Sequence, residues 1–366
     1  MLVTALYWTV IIANIIPILI KQRSKIVELL SIIYILLAMA GSINNPDYYS
    51  YHSMYIHMNY PGIEKGYAFI ASLGKRIGLD YNLFLLLSYI ALFIVFIALY
   101  KKIQYWHIII IGYLTFPIFY DATQVRFFMA TMIYLIAVAF LAQNKRLIYI
   151  VLVILAASFH KSFLALLALV YISPEKVMSN KISKRFFEVI IIISGVIFFT
   201  KSRLPFLTYL INIAIGDNES KNIYFETTTR FGFLYSTLFQ IINIFLCKMG
   251  LNYLEDNSSG SDDVNFVRTV YDIVLTTTFA LPLVMINVNF ARYFRLNNIL
   301  VLACMTMVYM YINIWNCRNS IRIGARVTAT QSFYWLIGIG NFIYWRFFIL
   351  DSNLPEKILA QNIYIK

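Results

Sequence analysis

Long apolar stretches recur from one end of the sequence to the other, and they limit the possible folds more than any other feature. Most are about 14–22 residues long, and a helix needs about 20 apolar residues to cross a bilayer. The sequence therefore predicts an all-α fold, a polytopic integral membrane protein with about twelve transmembrane helices in one transmembrane domain over residues 1–366. The twelve stretches lie at roughly 2–20, 26–43, 82–100, 104–120, 125–142, 147–160, 161–173, 186–200, 231–249, 265–286, 296–315 and 332–350.

Two of these stretches, 147–160 and 161–173, are short and are separated only by His160-Lys161. They are interpreted as two spans, with a single bent segment or a re-entrant pair as alternatives. Composition excludes a soluble protein with one very large core. The chain is 61% hydrophobic and 13% charged, whereas soluble domains have about 45–50% apolar and about 25% charged residues.

The net charge of +13 does not indicate a nucleic-acid partner, because the lysines and arginines are spread through short connections between apolar stretches. Connections rich in Lys and Arg stay in the cytoplasm. This rule places both termini outside, with external loops at about 44–81 and 201–230 and a polar cytoplasmic loop at about 250–264. The three cysteines have no metal-ligand spacing and imply no disulfide framework.

The first external loop contains two carboxylates at the starts of predicted short helices. Asp47 begins the sequence Asp-Tyr-Tyr-Ser-Tyr, whose helical spacing favours an amphipathic helix at the membrane interface. Pro61-Gly62 then breaks the chain, and Glu64 begins a second short helix, where an anion is favourable. The alternative is an interfacial segment whose carboxylates are simply solvated.

Arg126 follows Asp121 and Gln124 at the start of one apolar stretch, and His160 ends the next stretch. If both stretches cross the bilayer, Arg126 and His160 return to the same side of it. Placing an ionisable group in or near a membrane costs several kcal/mol unless the group lines a cavity or has a partner. One interpretation is therefore that Arg126 and His160 line the same reaction chamber. The alternatives are an arginine that extends to the interface and a structural histidine. An ordinary pKa of about 6.5 suits His160 to proton transfer near neutral pH.

Further arginines lie on the predicted external side. Arg292 and Arg295, together with Arg126 and Arg230, would form a cluster suited to a diphosphate if they face one cavity, because guanidinium groups bind phosphate oxygens in pairs. The sequence has no phosphate-binding glycine loop, no HExxH and no GxSxG motif. We therefore expect no metal and no cofactor, and a substrate that arrives already activated.

In these residues the chain resembles the EpsG/Wzy-like family of polysaccharide polymerases. The resemblance covers roughly residues 40–300, in order, on a matching hydropathy profile. It is carried by Asp47-Tyr48-Tyr49-Ser50-Tyr51, Glu64-Lys65-Gly66-Tyr67, Gln124-Val125-Arg126 with Ala130, Ser158-Phe159-His160-Lys161-Ser162 and Arg292-Tyr293-Phe294.

The resemblance implies a glycosyltransferase of the bacterial inner membrane that polymerises lipid-linked oligosaccharide repeat units for O-antigen, capsule or exopolysaccharide. Such an enzyme transfers the growing glycan from polyprenyl diphosphate to the non-reducing-end sugar hydroxyl of the next lipid-linked unit, without a nucleotide sugar. Its expected partners are the lipid-linked oligosaccharide, membrane lipids and, as accessory proteins, a chain-length regulator and a flippase.

The resemblance also distributes roles among the polar residues. His160 is the first choice for the catalytic base, followed by Glu64 and Asp47. Arginines neutralise the departing diphosphate, and external aromatic rings offer stacking surfaces for sugars. The expected substrate-binding residues are Arg126, Arg292, Arg295, Arg230, Tyr48, Tyr51, Gln124 and Tyr293.

Two other classes of function remain open on the sequence. A transporter or flippase would move a lipid-linked or anionic solute through the same cavity, and it would need basic groups on both faces of that cavity and gating elements. An acyltransferase or an O-antigen ligase-like transferase would work on the same lipid carriers. The ligase shares the arginine and histidine chemistry but uses a different acceptor.

Overall fold

The computed structural model describes residues 2–60, 62–101, 103, 105–172, 180–199, 232–257, 262–286, 288–318, 336–341, 343 and 353–365. Within these residues every regular element is a helix, and the β contact is an isolated bridge between Ser42 and Asn362. Five described helices are long and apolar enough to cross a membrane, or six if one bent pair counts as a span. The protein is a multi-pass helical membrane protein, and the count of twelve spans stays a prediction.

The first half of the chain supplies most of the elements around the candidate site. Its helices are α1 (Leu2–Leu19), α2 (Lys25–Gly41), α3 (Tyr48–His57), α4 (Lys65–Arg76), α5 (Tyr81–Leu99), α6 (Trp106–Thr115), α7 (Pro117–Thr123), α8 (Val125–Leu141), α9 (Arg146–Phe159) and a 3-10 helix (Lys161–Tyr171). The helices α3 and α4 occupy the predicted external loop 44–81, as expected from their spacing.

The second half adds further long helices and one short arginine-bearing turn. Its described helices are α10 (Asn180–Phe199), α11 (Gly232–Asn257), α12 (Asp262–Thr276), a 3-10 turn (Thr277–Ala280), α13 (Leu281–Ile286), a 3-10 turn (Val288–Ala291), α14 (Arg292–Arg295), α15 (Asn298–Arg318) and α16 (Asn353–Ala360). The predicted external loop 201–230 lies outside the described residues, and so does most of the predicted span 332–350.

The described residues of the polar loop predicted at about 250–264 are helical. Helix α11 continues to Asn257 and α12 begins at Asp262, so the polar residues at either end of that segment are helical. Acidic side chains such as Asp262 and Asp263 are favourable in the first turn of a helix. Residues 258–261 lie outside the described residues, and the cytoplasmic position of this segment stays a prediction.

The predicted span 104–120 is interrupted. Helix α6 ends at Thr115 and α7 begins at Pro117, because proline has no backbone N–H and disfavours helical geometry in the residue before it. The next pair of helices, α7 and α8, meets at an angle of 119° around Gln124. This bend places the start of α8, with Arg126, beside the polar residues at the end of α7.

Helix α8 lies at the centre of the bundle and is buried on all sides. Every residue of α8 is buried except Arg126 and Phe140, a distribution typical of a helix enclosed by other helices. Its neighbour α9 runs back antiparallel after a turn at Gln143–Lys145. The two helices therefore return the chain from Arg126 to the same end of the bundle at His160, as the sequence predicted.

The 3-10 helix Lys161–Tyr171 folds back along α9. The Tyr149 hydroxyl donates a hydrogen bond to the Leu166 carbonyl oxygen over 2.6 Å, which requires an antiparallel hairpin with His160 at its tip. A single bent segment, one of the alternatives for this region, is excluded by that contact. His160 itself has extended backbone geometry (φ −155°, ψ 111°) and belongs to neither helix.

Candidate active site

Side chains from four separate parts of the chain meet at the tip of the α9 hairpin. They come from the α3–α4 segment, from the bend between α7 and α8, from the hairpin tip itself and from the short helix α14. In the described part of the chain, this is where most of the predicted site residues come together. The contacts between them define what the site is able to bind.

Arg126 forms an ion pair with Glu64 and packs against Tyr51. Its Nη1 donates to Glu64 Oε2, and its Nε donates to the Tyr51 hydroxyl over 2.6 Å. The guanidinium carbon lies 5.5 Å from the centre of the Tyr51 ring. Since only 21% of the Arg126 side chain and 11% of the Glu64 side chain are exposed, this pair is mostly shielded from water but remains reachable from one side.

Glu64 also ties helix α4 to the hairpin tip. Its second oxygen, Oε1, accepts a hydrogen bond from the Lys161 backbone N–H over 3.3 Å. The backbones approach closely here because position 66 is glycine. A Cβ at Gly66 would lie 2.7 Å from the Ser158 carbonyl oxygen, so any larger residue would push α4 away from α9.

His160 lies beside an arginine and a hydroxyl group. Its Nδ1 lies 2.7 Å from Ser162 Oγ, and its Nε2 lies 3.5 Å from Arg292 Nη1. The Phe127 ring meets the imidazole edge to face at 5.2 Å between centres. Burial and, next in importance, the positive charge of Arg292 lower the pKa of His160, so the imidazole is neutral near pH 7 and is able to accept a proton.

The two arginines of α14 occupy different environments. Arg292 is partly exposed, and its guanidinium carbon lies 5.6 Å from the centre of the Phe127 ring. Arg295 is only 8% exposed, and its guanidinium carbon lies 4.5 Å from the Tyr120 ring centre. Its Nη2 donates to Gln124 Oε1. Arg292 is therefore partly open to solvent, whereas Arg295 is held inside the protein.

The buried charge of Arg295 has a nearby counter-charge in Asp121. Asp121 is 5% exposed, interacts electrostatically with Arg295, and accepts a hydrogen bond from the Tyr113 hydroxyl over 3.0 Å. An ion buried without a partner would be strongly unfavourable. Asp121, Gln124 and Tyr120 therefore make Arg295 a framework residue of this site rather than a group open to substrate.

The remaining predicted residues lie around this cluster. Asp47 precedes α3 and is close enough to Arg126 and Arg292 to interact with both, while burial raises its pKa above the ordinary value. The Tyr293 hydroxyl donates to the Ser162 carbonyl oxygen over 2.8 Å. The hydroxyl of Tyr48 instead donates to Asn82 Oδ1 over 2.9 Å, so its polar group is engaged with α5. Arg230 lies outside the described residues.

Sequence reasoning missed the roles of Ser162, Phe127 and Tyr113. Ser162 is two residues from His160, so its hydroxyl was a candidate partner, but only the break between α9 and the 3-10 helix turns it towards the imidazole. Phe127 is one apolar residue among many in its stretch. Its position between His160 and two guanidinium groups depends on contacts that are distant in sequence.

The site combines positive charge with a neutral base. Arg126 and Arg292 are partly exposed, Glu64 neutralises one of them, and His160 has a lone pair available beside the other. An anion with several oxygens fits such a site, and a hydroxyl group of the same or a second ligand is able to lose its proton there. No three His, Cys, Asp or Glu side chains in the described regions are grouped as metal ligands.

Comparison with protein families matches the chain to the EpsG family over residues 25–327. This range contains every described residue of the cluster, from Asp47 to Arg295. No curated protein and no solved structure shows significant similarity to the chain.

Proposed function

The chain belongs to the EpsG family, a membrane protein family linked to exopolysaccharide synthesis, and from this premise we propose that it is a polysaccharide polymerase. It transfers a growing glycan from polyprenyl diphosphate to a sugar hydroxyl at the non-reducing end of a lipid-linked repeat unit. The same proposal includes twelve membrane spans, a bacterial inner membrane location and a reaction on its external face. A chain-length regulator and a flippase are the proposed accessory partners.

The reaction forms one bond and breaks one bond. The acceptor hydroxyl oxygen attacks the anomeric carbon of the donor glycan, and the bond from that carbon to the diphosphate oxygen breaks. The hydroxyl proton passes to His160 Nε2, and polyprenyl diphosphate leaves with the electron pair of the broken bond. No nucleotide is required, because the glycan arrives already linked to diphosphate, and Arg126 and Arg292 neutralise the charge that develops on it.

One observation carries this proposal: a partly exposed arginine and a neutral histidine from distant parts of the chain lie side by side. Arg292 Nη1 and His160 Nε2 are 3.5 Å apart although 132 positions separate them in sequence. Donors aimed at developing negative charge are usually the largest contribution to catalysis. Arg292, with Arg126 nearby, supplies such donors for the diphosphate, while His160 supplies the base.

The two carboxylates are weaker candidates for the base. Both oxygens of Glu64 are engaged, one by Arg126 and one by the Lys161 N–H, so Glu64 is better suited to hold the site together. Asp47 is a reserve candidate because burial raises its pKa, and a higher pKa makes a carboxylate a stronger base. His160 remains the first choice because its Nε2 lies beside Arg292, where the departing diphosphate is proposed to bind.

The flippase alternative requires basic groups on both faces of the cavity and gating elements, and two carboxylates at the opposite end of α8 disfavour it. Arg126 is the second residue of α8, whereas Ala142 and Gln143, just beyond its last residue, line a cavity of about 400 Å³ together with Asp262 and Asp263. Sixteen residues of helix separate the two ends by about 24 Å. The carboxylates of Asp262 and Asp263 are unfavourable to an anionic solute inside this cavity, and the cations at the same end, Lys145 and Arg146, are exposed and do not line it. A ligase would share this site chemistry and differ from a polymerase in its acceptor.

The deciding experiment is deletion of the gene and complementation with variants, read as a ladder of surface glycan lengths. The wild-type gene should restore long chains, and Arg292→Ala should yield single repeat units only. The matched control is Arg76→Ala, which removes an exposed arginine at the end of α4 and should leave long chains. Loss of the single-unit band in the deletion strain would select a flippase and reject the polymerase.

A further inference from the structure

We propose that Ser162 is a positioning residue that fixes the tautomer of His160, so that the unprotonated Nε2 faces the substrate. This inference rests on the proposed function for its catalytic meaning, but the tautomer is a property of the resting protein. The inference depends on the groups that contact the two imidazole nitrogens, because these two groups differ in chemical kind. The hydroxyl of Ser162 lies on one nitrogen and a guanidinium group on the other.

The contact on Nε2 excludes a proton there. Arg292 Nη1, 3.5 Å away, belongs to a guanidinium group, which has five N–H donors and no acceptor. A proton on Nε2 would point at these N–H groups, and an imidazolium ion would place two positive charges side by side. Nε2 therefore keeps its lone pair, and a neutral imidazole then has its single proton on Nδ1.

The contact on Nδ1 completes this assignment. Ser162 Oγ lies 2.7 Å from Nδ1, and a hydroxyl oxygen has two lone pairs, so it accepts the Nδ1–H. Without this acceptor the N–H would be left without a partner in a partly buried position, which costs free energy. Ser162 therefore favours the tautomer with the proton on Nδ1, which leaves the unprotonated Nε2 on the substrate side as the base.

The position of Ser162 is itself fixed from two directions. The Tyr293 hydroxyl donates to the Ser162 carbonyl oxygen over 2.8 Å, and Glu64 Oε1 accepts the neighbouring Lys161 N–H over 3.3 Å. Tyr293 follows Arg292 directly in α14. One short helix therefore sets both the cation beside Nε2 and, through Ser162, the acceptor beside Nδ1.

A pair of serine variants tests the positioning role through kinetics. Ser162→Ala removes the acceptor and should lower kcat about tenfold, the order of one hydrogen bond, while KM changes by less than about twofold. Ser162→Thr keeps the hydroxyl and should restore most of kcat. Equal kcat for the alanine variant and the wild type would overturn the proposal, as would a threonine variant that is as impaired as the alanine variant.

A spectroscopic measurement separates this inference from the polymerase assignment. The protein is labelled with 15N-histidine in nanodiscs, and the His160 signals are assigned by their absence in His160→Gln. At pH 7 the wild type should show a protonated Nδ1 and an unprotonated Nε2, and Ser162→Ala should show a mixture of tautomers. A wild-type signal with a proton on Nε2, or an imidazolium, overturns the inference. The expected tautomer in a protein that fails to polymerise would support the inference and reject the proposed function.

Discussion

Gly66→Ala tests the packing on which the candidate site depends. The added Cβ would lie 2.7 Å from the Ser158 carbonyl oxygen, whereas non-bonded heavy atoms prefer about 3.5–4.0 Å. Because the carbonyl is part of the α9 backbone, it cannot rotate away as a side chain does. The α4 backbone must therefore move away from α9 by about 0.8 Å to reach the lower end of that range.

This displacement acts on the site through Glu64, two residues before Gly66. The hydrogen bond from the Lys161 N–H to Glu64 Oε1 is already 3.3 Å long. An added 0.8 Å takes it to about 4 Å, beyond hydrogen-bonding distance. Arg126 then loses the fixed carboxylate that orients it. Misplacing catalytic groups by about 1 Å costs up to about 100-fold in rate, so we expect transfer to fall about 10- to 100-fold.

The assay is the rate of chain extension by purified protein from a synthetic lipid-linked repeat unit, with the inserted amount of protein measured in parallel. Gly195→Ala is the matched control, because a Cβ there meets no heavy atom within 4 Å and the rate should be unchanged. Adding Ser158→Ala to Gly66→Ala relieves only the contact with the hydroxyl and should not restore activity. A Gly66→Ala variant with the wild-type rate would refute the close approach of α4 to the hairpin.

Three further predictions concern the charged groups. Arg292→Ala should lower the transfer rate about 100- to 1,000-fold, the effect of removing one donor to developing charge, and Arg292→Lys should recover part of it; a rate within threefold of wild type for the alanine variant would contradict the proposed role. The pKa of His160 is lowered, so the rate should persist below about pH 6.5 and fall only as the pH drops through the lowered value. Arg292→Gln should move that acid limb to higher pH, and an unmoved limb would assign it to another group. Asp121→Asn should leave the buried Arg295 without its counter-charge and destabilise the protein by about 3–5 kcal/mol, seen as loss of folded protein on heating in detergent; unchanged thermal stability would exclude the pairing.

The sequence predicted the fold class because hydropathy reports burial in lipid directly. The predicted stretches 2–20 and 82–100 agree with α1 (Leu2–Leu19) and α5 (Tyr81–Leu99) to within one residue at each end. Hydropathy does not show where a helix is interrupted, because interruptions depend on the backbone chemistry of residues such as proline. The predicted span 104–120 is divided at Pro117, because a proline interrupts a helix without making the apolar stretch any less hydrophobic.

The arginines and His160 stand out in the sequence as candidates because charged and titratable side chains are rare in an apolar chain and require partners; their roles at the site stay predictions. Their pairings were not predictable. Tyr293 reaches the backbone of Ser162 across 131 positions, and Arg295 reaches Gln124 across 171. Such contacts depend on how helices pack in three dimensions. For the same reason the sequence did not indicate that Arg295 is buried against Tyr120, and its substrate-binding role stays a prediction.

The most direct test of the account is an experimental structure with a non-hydrolysable polyprenyl diphosphate-linked oligosaccharide bound. The diphosphate oxygens should lie within hydrogen-bonding distance of Arg126 and Arg292, and His160 Nε2 should face a sugar hydroxyl. A diphosphate bound at the other end of α8, or one that contacts neither arginine, would contradict it.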